Sequence, residues 1–195
     1  MTVSDRYNRQ ELISGWNQDK LNASRAVVIG SGNLANYTLV SLAALGIGNI
    51  EVYDNSKVNS DGEFLLFQAR EGEPKAKALE TILKQINPVS RIMGISTPMS
   101  APLLAMIGKP EIIVDTTNYS KSKSDILKYA KSRGVRVISA SADRDRAEMY
   151  FICPDTKQEN ISLDSYEGKG QGVVTSGIMG GIITEELRKA IMPFS

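Results

Sequence analysis

The 195-residue chain contains no histidine and one cysteine, Cys153. The first absence removes the Ser-His-Asp and Cys-His devices, histidine metal sites and the commonest general base near neutral pH. The second removes an internal disulfide and any Cys-x-x-Cys pair for zinc. An excess of one charge is also lacking: 23 Lys and Arg stand against 22 Asp and Glu, with no large basic segment, so nucleic acid is not expected as the main partner. The longest apolar runs fall far short of a membrane span. The amino-terminal Met-Thr-Val-Ser-Asp-Arg is too polar for a signal peptide, and a soluble cytoplasmic protein without a membrane partner is expected. Chemistry must then rest on Asp, Glu, Lys, Arg, backbone N–H groups or a metal held by oxygen ligands.

What is present is organised around Ala26-Val-Val-Ile-Gly-Ser-Gly-Asn-Leu-Ala35 and Ile50-Glu-Val-Tyr-Asp54. Ala26 to Ile29 suits a strand covered on both faces, and Gly30 and Gly32 suit a tight turn that approaches a phosphate. A helix from Asn33 would aim its free N–H groups at an anion. Asp54, followed by Asn55, falls about twenty residues on, where a carboxylate can accept hydrogen bonds from ribose hydroxyls. The pattern indicates a nucleotide without saying which one. A glycine turn that serves only helix and sheet packing is the plain alternative.

Elsewhere, Asp5 to about Ile13 reads as a short helix with Ser4 as its N-cap and Tyr7, Leu12 and Ile13 available for packing. A linker with Gly15, Trp16 and Asn17 leads to a strand at Arg25 to Gly30, a helix from Asn33 to Leu45 and a strand from Asn49 to Asp54. Asn55 to Gly72 is an irregular insertion, read as a binding element or a mobile loop. A helix from Pro74 stops at Asn87-Pro88. Strands follow near Arg91 to Ser96, Glu111 to Asp115 and Val135 to Ser139, separated by helices near Pro102 to Ile107 and Ser122 to Ser132. The alternation predicts an α/β, doubly wound, mainly parallel sheet. Glu148 to Ile152 reads as a strand, antiparallel because no helix precedes it. Asp155 to Gly172 reads as a surface loop, and a last helix runs from about Val174 to Met192, with Gly177, Gly180 and Gly181 allowing a close approach. Ligands of such sheets sit at the carboxyl ends of the strands, which would collect Gly30 to Gly32, Asp54, Asp115 to Asn118 and Ser139 to Asp143.

Arg6-Tyr-Asn-Arg-Gln-Glu-Leu-Ile13, the glycine turn, Leu45-Gly-Ile-Gly-Asn-Ile50, Val52-Tyr-Asp54, Gly72-Glu-Pro-Lys75, Ile86-Asn-Pro88, Ile113-Val-Asp-Thr-Thr117 and Ser176-Gly-Ile-Met-Gly-Gly181 occur in that order. In this set the chain resembles the E1-like family, the ThiF, MoeB and HesA type activating enzymes and the adenylation domains of ubiquitin activators. The resemblance covers nearly the whole chain. It implies one Rossmann-like domain: residues 1–24 a helical arm, 25–141 the core, and 142–195 a strand, crossover loop and helix. It also implies use of ATP and Mg2+ to adenylate a carboxylate with release of pyrophosphate, in a homodimer. By resemblance Asp54 holds the ribose, Arg9 reaches the ATP phosphates, often across the dimer interface, and Lys75 sits against the phosphates. Gly30, Gly32, Asn33, Asn55, Asp115 and Thr117 complete the nucleotide contacts. Cationic side chains and backbone donors suit this reaction, in which two anions meet and no proton-transfer base is needed. The plain alternatives are a surface ion pair for Arg9 and a solvated first-turn lysine for Lys75.

Departures from the family pattern select within it. The arginine expected in the loop after the second strand is missing from Asp61-Gly-Glu-Phe-Leu-Leu-Phe67, and Arg70 is the nearest replacement. The magnesium-associated Asp aligns with Asn118, a neutral ligand; Asp115 reads as a strand-end residue with a packing role, yet it or Asp143 could help hold the metal. Zinc-binding cysteine pairs and a crossover-loop cysteine are absent, and Cys153 reads as inert core. Such a member could adenylate and hand its product to a separate thiol-bearing protein. Phe64 to Phe67 could shape a pocket or an interface, and a small-molecule carboxylate is as plausible as a protein C-terminus. This short, cysteine-poor form is similar to the methanogen branch that adenylates a guanylylpyridinol carboxylate. The competing readings are a degenerate E1-like subunit that binds nucleotide or a partner without catalysis, and an NAD-dependent oxidoreductase.

Overall fold

In the computed structural model, which describes residues 6–59, 64–153, 155, 170 and 172–193, the apolar runs become neighbouring strands of one six-stranded sheet. The strands are β1 (Arg25–Ile29), β2 (Asn49–Tyr53), β3 (Arg91–Ile95), β4 (Ile112–Asp115), β5 (Arg136–Ala142) and β6 (Ala147–Ile152). Their order is β3-β2-β1-β4-β5-β6. All neighbouring pairs are parallel except β5–β6. This is the expected doubly wound, Rossmann-like α/β sheet with an antiparallel end. The order reverses direction at β1, so the carboxyl ends of β1 and β4 diverge there into a crevice where ligands of such sheets bind.

The pleat divides each central strand between two cores. Ala26, Val28, Ile50, Val52, Ile112 and Val114 face one side, under α3 (Asn33–Leu45), α4 (Lys75–Ile86) and α7 (Val173–Ile191). Val27, Ile29, Tyr53 and Ile113 face the other, under α5 (Ala101–Ile107) and α6 (Ser120–Arg133). Strands buried on both faces need apolar residues at every position, which is why these read as unbroken runs.

Helices α3 and α7 run side by side from the carboxyl rim of the sheet to its amino rim. At the first rim, Gly172, which caps α7, donates to the Asp143 carbonyl. At the second, Arg136 at the start of β5 donates to Ala190 O near the end of α7 (2.6 Å). Of the three glycines expected to permit close approach, Gly180 is the one that requires it. A Cβ there would lie 2.8 Å from the Tyr37 Cβ and 2.9 Å from the Thr38 nitrogen, whereas Gly181 faces open space.

Several stretches differ from expectation. Asn17 caps an unanticipated helix, α2 (Gln18–Ala23), by accepting from the Lys20 N–H at 3.0 Å. The expected first helix shortens to α1 (Asn8–Glu11). Its Tyr7 is buried, but Leu12 and Ile13 are exposed rather than packed, while Ser4 and Asp5 lie outside the described residues. The insertion contains a 3-10 turn, Phe64–Gln68, whose Leu65 and Leu66 join the core instead of lining a pocket. Asp61-Gly-Glu63 and most of the expected loop 155–172 lie outside the described residues. Strand β5 runs three residues past Ser139, because it continues pairing with β6 after β4 has ended.

Glu80 clasps α4 to β3. It accepts from the Gly94 N–H at 2.8 Å and pairs with Lys84 (2.6 Å) and Lys77 (3.0 Å). Burial would raise its pKa, but the Lys84, Gly94 and Lys77 contacts outweigh that and hold it at about 2. A depressed folded-state value contributes stability above the ordinary carboxylate pKa, and that contribution is lost as pH falls toward 2. Acid titration of Glu80→Gln should therefore show a shallower loss of stability between pH 4.5 and 2 than the parent chain.

Candidate active site

The turn after β1 is built around Gly30. Its φ of +111° is available to glycine alone without strain, and a Cβ there would lie 2.4 Å from the Thr116 Oγ1. Thr116 occupies that space because its N–H and Oγ1 both donate to the Ile29 carbonyl, at 2.9 and 2.8 Å. The ends of β1 and β4 are thus locked together beneath the turn. Asn36, fully buried, donates from Nδ2 to the Ser31 (3.1 Å) and Gly32 (3.0 Å) carbonyls and fixes the turn from inside the helix. Gly32 caps α3 without a side-chain acceptor, and a helix amino terminus placed at such a turn favours an anion.

Asp54 and Lys75 come to the same rim from separate stretches. The Asp54 Oδ1 accepts from the Ser56 N–H (2.6 Å) and from the Ser56 hydroxyl. The Ser56 carbonyl in turn accepts from the Lys75 N–H at 3.0 Å. A Lys57–Pro74 bridge, Val58 N–H to Glu73 O (2.8 Å) and Gly72 N–H to Val58 O (2.9 Å) close the neck of the insertion. Lys75, the first residue of α4, is buried, while Asn55 is exposed beside Asp54. Ser31 and Ser56 approach to 3.4 Å between their hydroxyl oxygens, joining the glycine turn to this neck.

At the end of β4, Asp115 is fully buried. Its Oδ1 accepts from the Thr117 N–H (2.9 Å) and hydroxyl (2.7 Å), and its Oδ2 from Lys123 Nζ (3.2 Å) and the Ser139 hydroxyl (2.8 Å). Both oxygens of Asp115 are thus engaged within the protein. Thr117 likewise spends its hydroxyl on Asp115. Asn118 follows at the rim, before α6. Asp143 stands at the β5–β6 turn, where its Oδ1 accepts from the Arg144 N–H (2.5 Å). Among the described residues, no three Asp, Glu or Cys side chains gather as a metal site.

Arg9 is placed elsewhere. Its helix is docked on the amino rim: Tyr7 OH accepts from Asn87 Nδ2 (2.8 Å), Arg6 donates to Ile86 O (2.6 Å) and Gln10 to Leu45 O (3.0 Å). Those partners lie at the ends of α3 and α4, so the exposed Arg9 is about 20 Å, the length of α3, from the glycine turn of its own chain. Arg70 is exposed beside Glu73, whose Oε2 accepts from its N–H at 3.3 Å. Cys153 is also exposed, not core. It follows β6, an edge strand whose last residue, Ile152, pairs with Val137 near the amino rim.

The residue that sequence reasoning missed is Lys123. The signal was its spacing: Lys123, Ile126, Leu127 and Ala130 share the buried stripe of α6, and a lysine there requires an acid beneath it.

Among the described residues, no helix is long and apolar enough to cross a membrane. Residues 6–191 match the ThiF family. A molybdopterin-synthase adenylyltransferase of Haemophilus influenzae is 31% identical over 91% of this chain and 77% of its own length. The sulfur carrier protein ThiS adenylyltransferase of Escherichia coli is 23% identical over 91% and 74%. The fold also matches Escherichia coli MccB, solved with ATP, at a TM-score of 0.84 and 20% identity; the match covers 99% of this chain and 65% of MccB. Reaching from Arg6 to the end of α7 and taking in both rims of the sheet, the match places this chain in the ThiF family.

Proposed function

We propose that this chain uses ATP to adenylate a carboxylate and release pyrophosphate. One observation carries the reading: the glycine turn, the Asp54–Ser56 neck and the start of α4 at Lys75 are tied by hydrogen bonds into one rim. The names of the relatives, adenylyltransferases of molybdopterin synthase and of a sulfur carrier protein, support it.

The backbone donors of the turn and the first N–H groups of α3 take the phosphates, Asp54 the ribose, and Lys75 and Asn118 lie toward the reacting groups. A substrate carboxylate oxygen attacks the α-phosphorus, the acyl–phosphate bond forms, the bond to the β-phosphate breaks, and pyrophosphate leaves with its electron pair. No proton changes hands, so a site without histidine suffices. Charge repulsion is the main barrier, and cationic groups and backbone donors lower it. Magnesium does not fit as a protein-held ion among the described residues: Asp115 is engaged and Asn118 is neutral. When bound, it would act as the counter-ion of the ATP phosphates and offset their charge.

Because Arg9 sits on the far rim, it serves the site of a second copy, in a homodimer. The acyl group is a small-molecule acid, such as a guanylylpyridinol carboxylate, that passes from the adenylate to a separate thiol-bearing protein. Cys153 is on the wrong rim to receive it within the chain. Cys153→Ser is therefore expected to leave the exchange rate within twofold of the parent; loss of exchange would assign the cysteine a chemical role.

ATP–pyrophosphate exchange across a panel of carboxylic acids tests the reading. Carboxylate-dependent exchange supports it. Nucleotide affinity without exchange for any acid would leave a binding subunit instead, and tighter binding of NADH than of ATP would point to an oxidoreductase.

A further inference from the structure

Lys123 violates two local preferences at once. A cation in the first turn of a helix opposes the helix dipole, and α6 has no acid there to offset it. It is also 3% exposed, and burying an ammonium is costly unless it is fully paired. The pairing is complete: Nζ donates to Asp115 Oδ2, the Ser139 hydroxyl and the Ala140 carbonyl, each at 3.2 Å. Ser139 closes a triangle by donating to the same Asp115 oxygen at 2.8 Å. The other oxygen of Asp115 is thereby turned toward Thr117, whose N–H and hydroxyl it binds.

This order of contacts runs from α6 and β5 to the loop that carries Thr117 and Asn118. Thr116, the first residue of that loop, also fills the space beside Gly30. The loop that Asp115 binds therefore borders both sides of the crevice between β1 and β4.

We propose that Lys123 is a positioning residue for the adenylation step: it orients Asp115, and Asp115 holds the Thr117–Asn118 segment in its reactive conformation. The proposal rests on the adenylation reading for its chemistry, though not for its structural part. Lys123 itself is too deeply buried to touch substrate. A 1 Å misplacement of reacting groups is enough to slow a reaction about 100-fold.

The test compares Lys123→Met, Lys123→Arg and the parent in three measurements. In pyrophosphate exchange, Lys123→Met is expected to lose about 100-fold in kcat per folded molecule, with the KM for ATP changed by less than about threefold, and Lys123→Arg to recover most of the loss. Amide hydrogen exchange should show lost protection at Thr117 in Lys123→Met, with α6 beyond its first turn unchanged. Thermal melting supplies the folded fraction. Unchanged kcat per folded molecule in Lys123→Met would overturn the proposal, as would unchanged protection at Thr117. Should the methionine variant not fold, Lys123→Gln, which keeps a donor and removes the charge, takes its place under the same criteria. A parent that binds ATP but exchanges no pyrophosphate defeats the adenylation reading, while Thr117 protection still decides whether Lys123 orders the segment.

Discussion

Mixing equal amounts of Arg9→Ala and Lys75→Ala chains is expected to restore pyrophosphate exchange that neither variant shows alone. In a homodimer whose sites each take Lys75 from one copy and Arg9 from the other, the mixed dimer contains one site with both residues intact and one with neither. Random reassortment makes half of all dimers mixed, so about a quarter of the parent activity should return. The geometry behind this is the docking of α1 on the amino rim through Tyr7–Asn87, Arg6–Ile86 and Gln10–Leu45, which holds Arg9 a helix length from the turn at Gly30. If both residues served the same chain's site, mixing would restore nothing. Full activity of either variant alone would remove that residue from the site. Arg9 is exposed, and Lys75, though buried, begins α4 outside the two apolar cores, so neither truncation leaves a cavity in those cores and the variants should fold.

The second large effect is expected at Gly30. Gly30→Ala meets two costs together: a positive φ of 111°, which an L side chain rarely adopts, and a Cβ 2.4 Å from the Thr116 hydroxyl. Thr116 cannot simply turn away, since its hydroxyl is bonded to the Ile29 carbonyl. Strain of this kind and overpacking each cost about 1–3 kcal/mol, so chemical denaturation should show a loss of roughly 2–6 kcal/mol. ATP affinity should fall as well, because any relaxation displaces the turn that faces the phosphates. A variant with parent-like stability and ATP affinity would show that the turn is softer than its hydrogen bonds indicate.

The sheet was legible because both of its faces are buried. Ala26 to Ile29 and Ile112 to Val114 are apolar at every position, and no other arrangement of such short runs between helices buries them as well. Gly30, Asp54 and Lys75 were legible as a group because each sits at a rim position where the chain turns. Less visible were features that depend on partners far along the chain. Helix α2 was hidden by its polar residues Gln18, Asp19, Lys20 and Asn22, and is secured by the Asn17 cap and the burial of Gln18 and Leu21. Leu65 and Leu66 looked like a pocket lining because nothing local says that they reach the core under α3 and α4. Asp115 looked like a ligand because it ends a strand in the crevice, and only the arrival of Lys123 and Ser139 from later elements shows that its charge is already matched.

The closed neck at Val58 and Gly72 has a consequence for how such a site can change. The bridge and its neighbouring hydrogen bonds tie the stretch after Asp54 directly to the start of α4 at Lys75. Because doubling the length of a connection costs only about 0.6 kcal/mol, insertions made between Val58 and Gly72 should leave Asp54 and Lys75 in register. The nucleotide-facing scaffold and the part free to adapt to a new acyl group are thus separable modules, joined at one hydrogen-bonded knot.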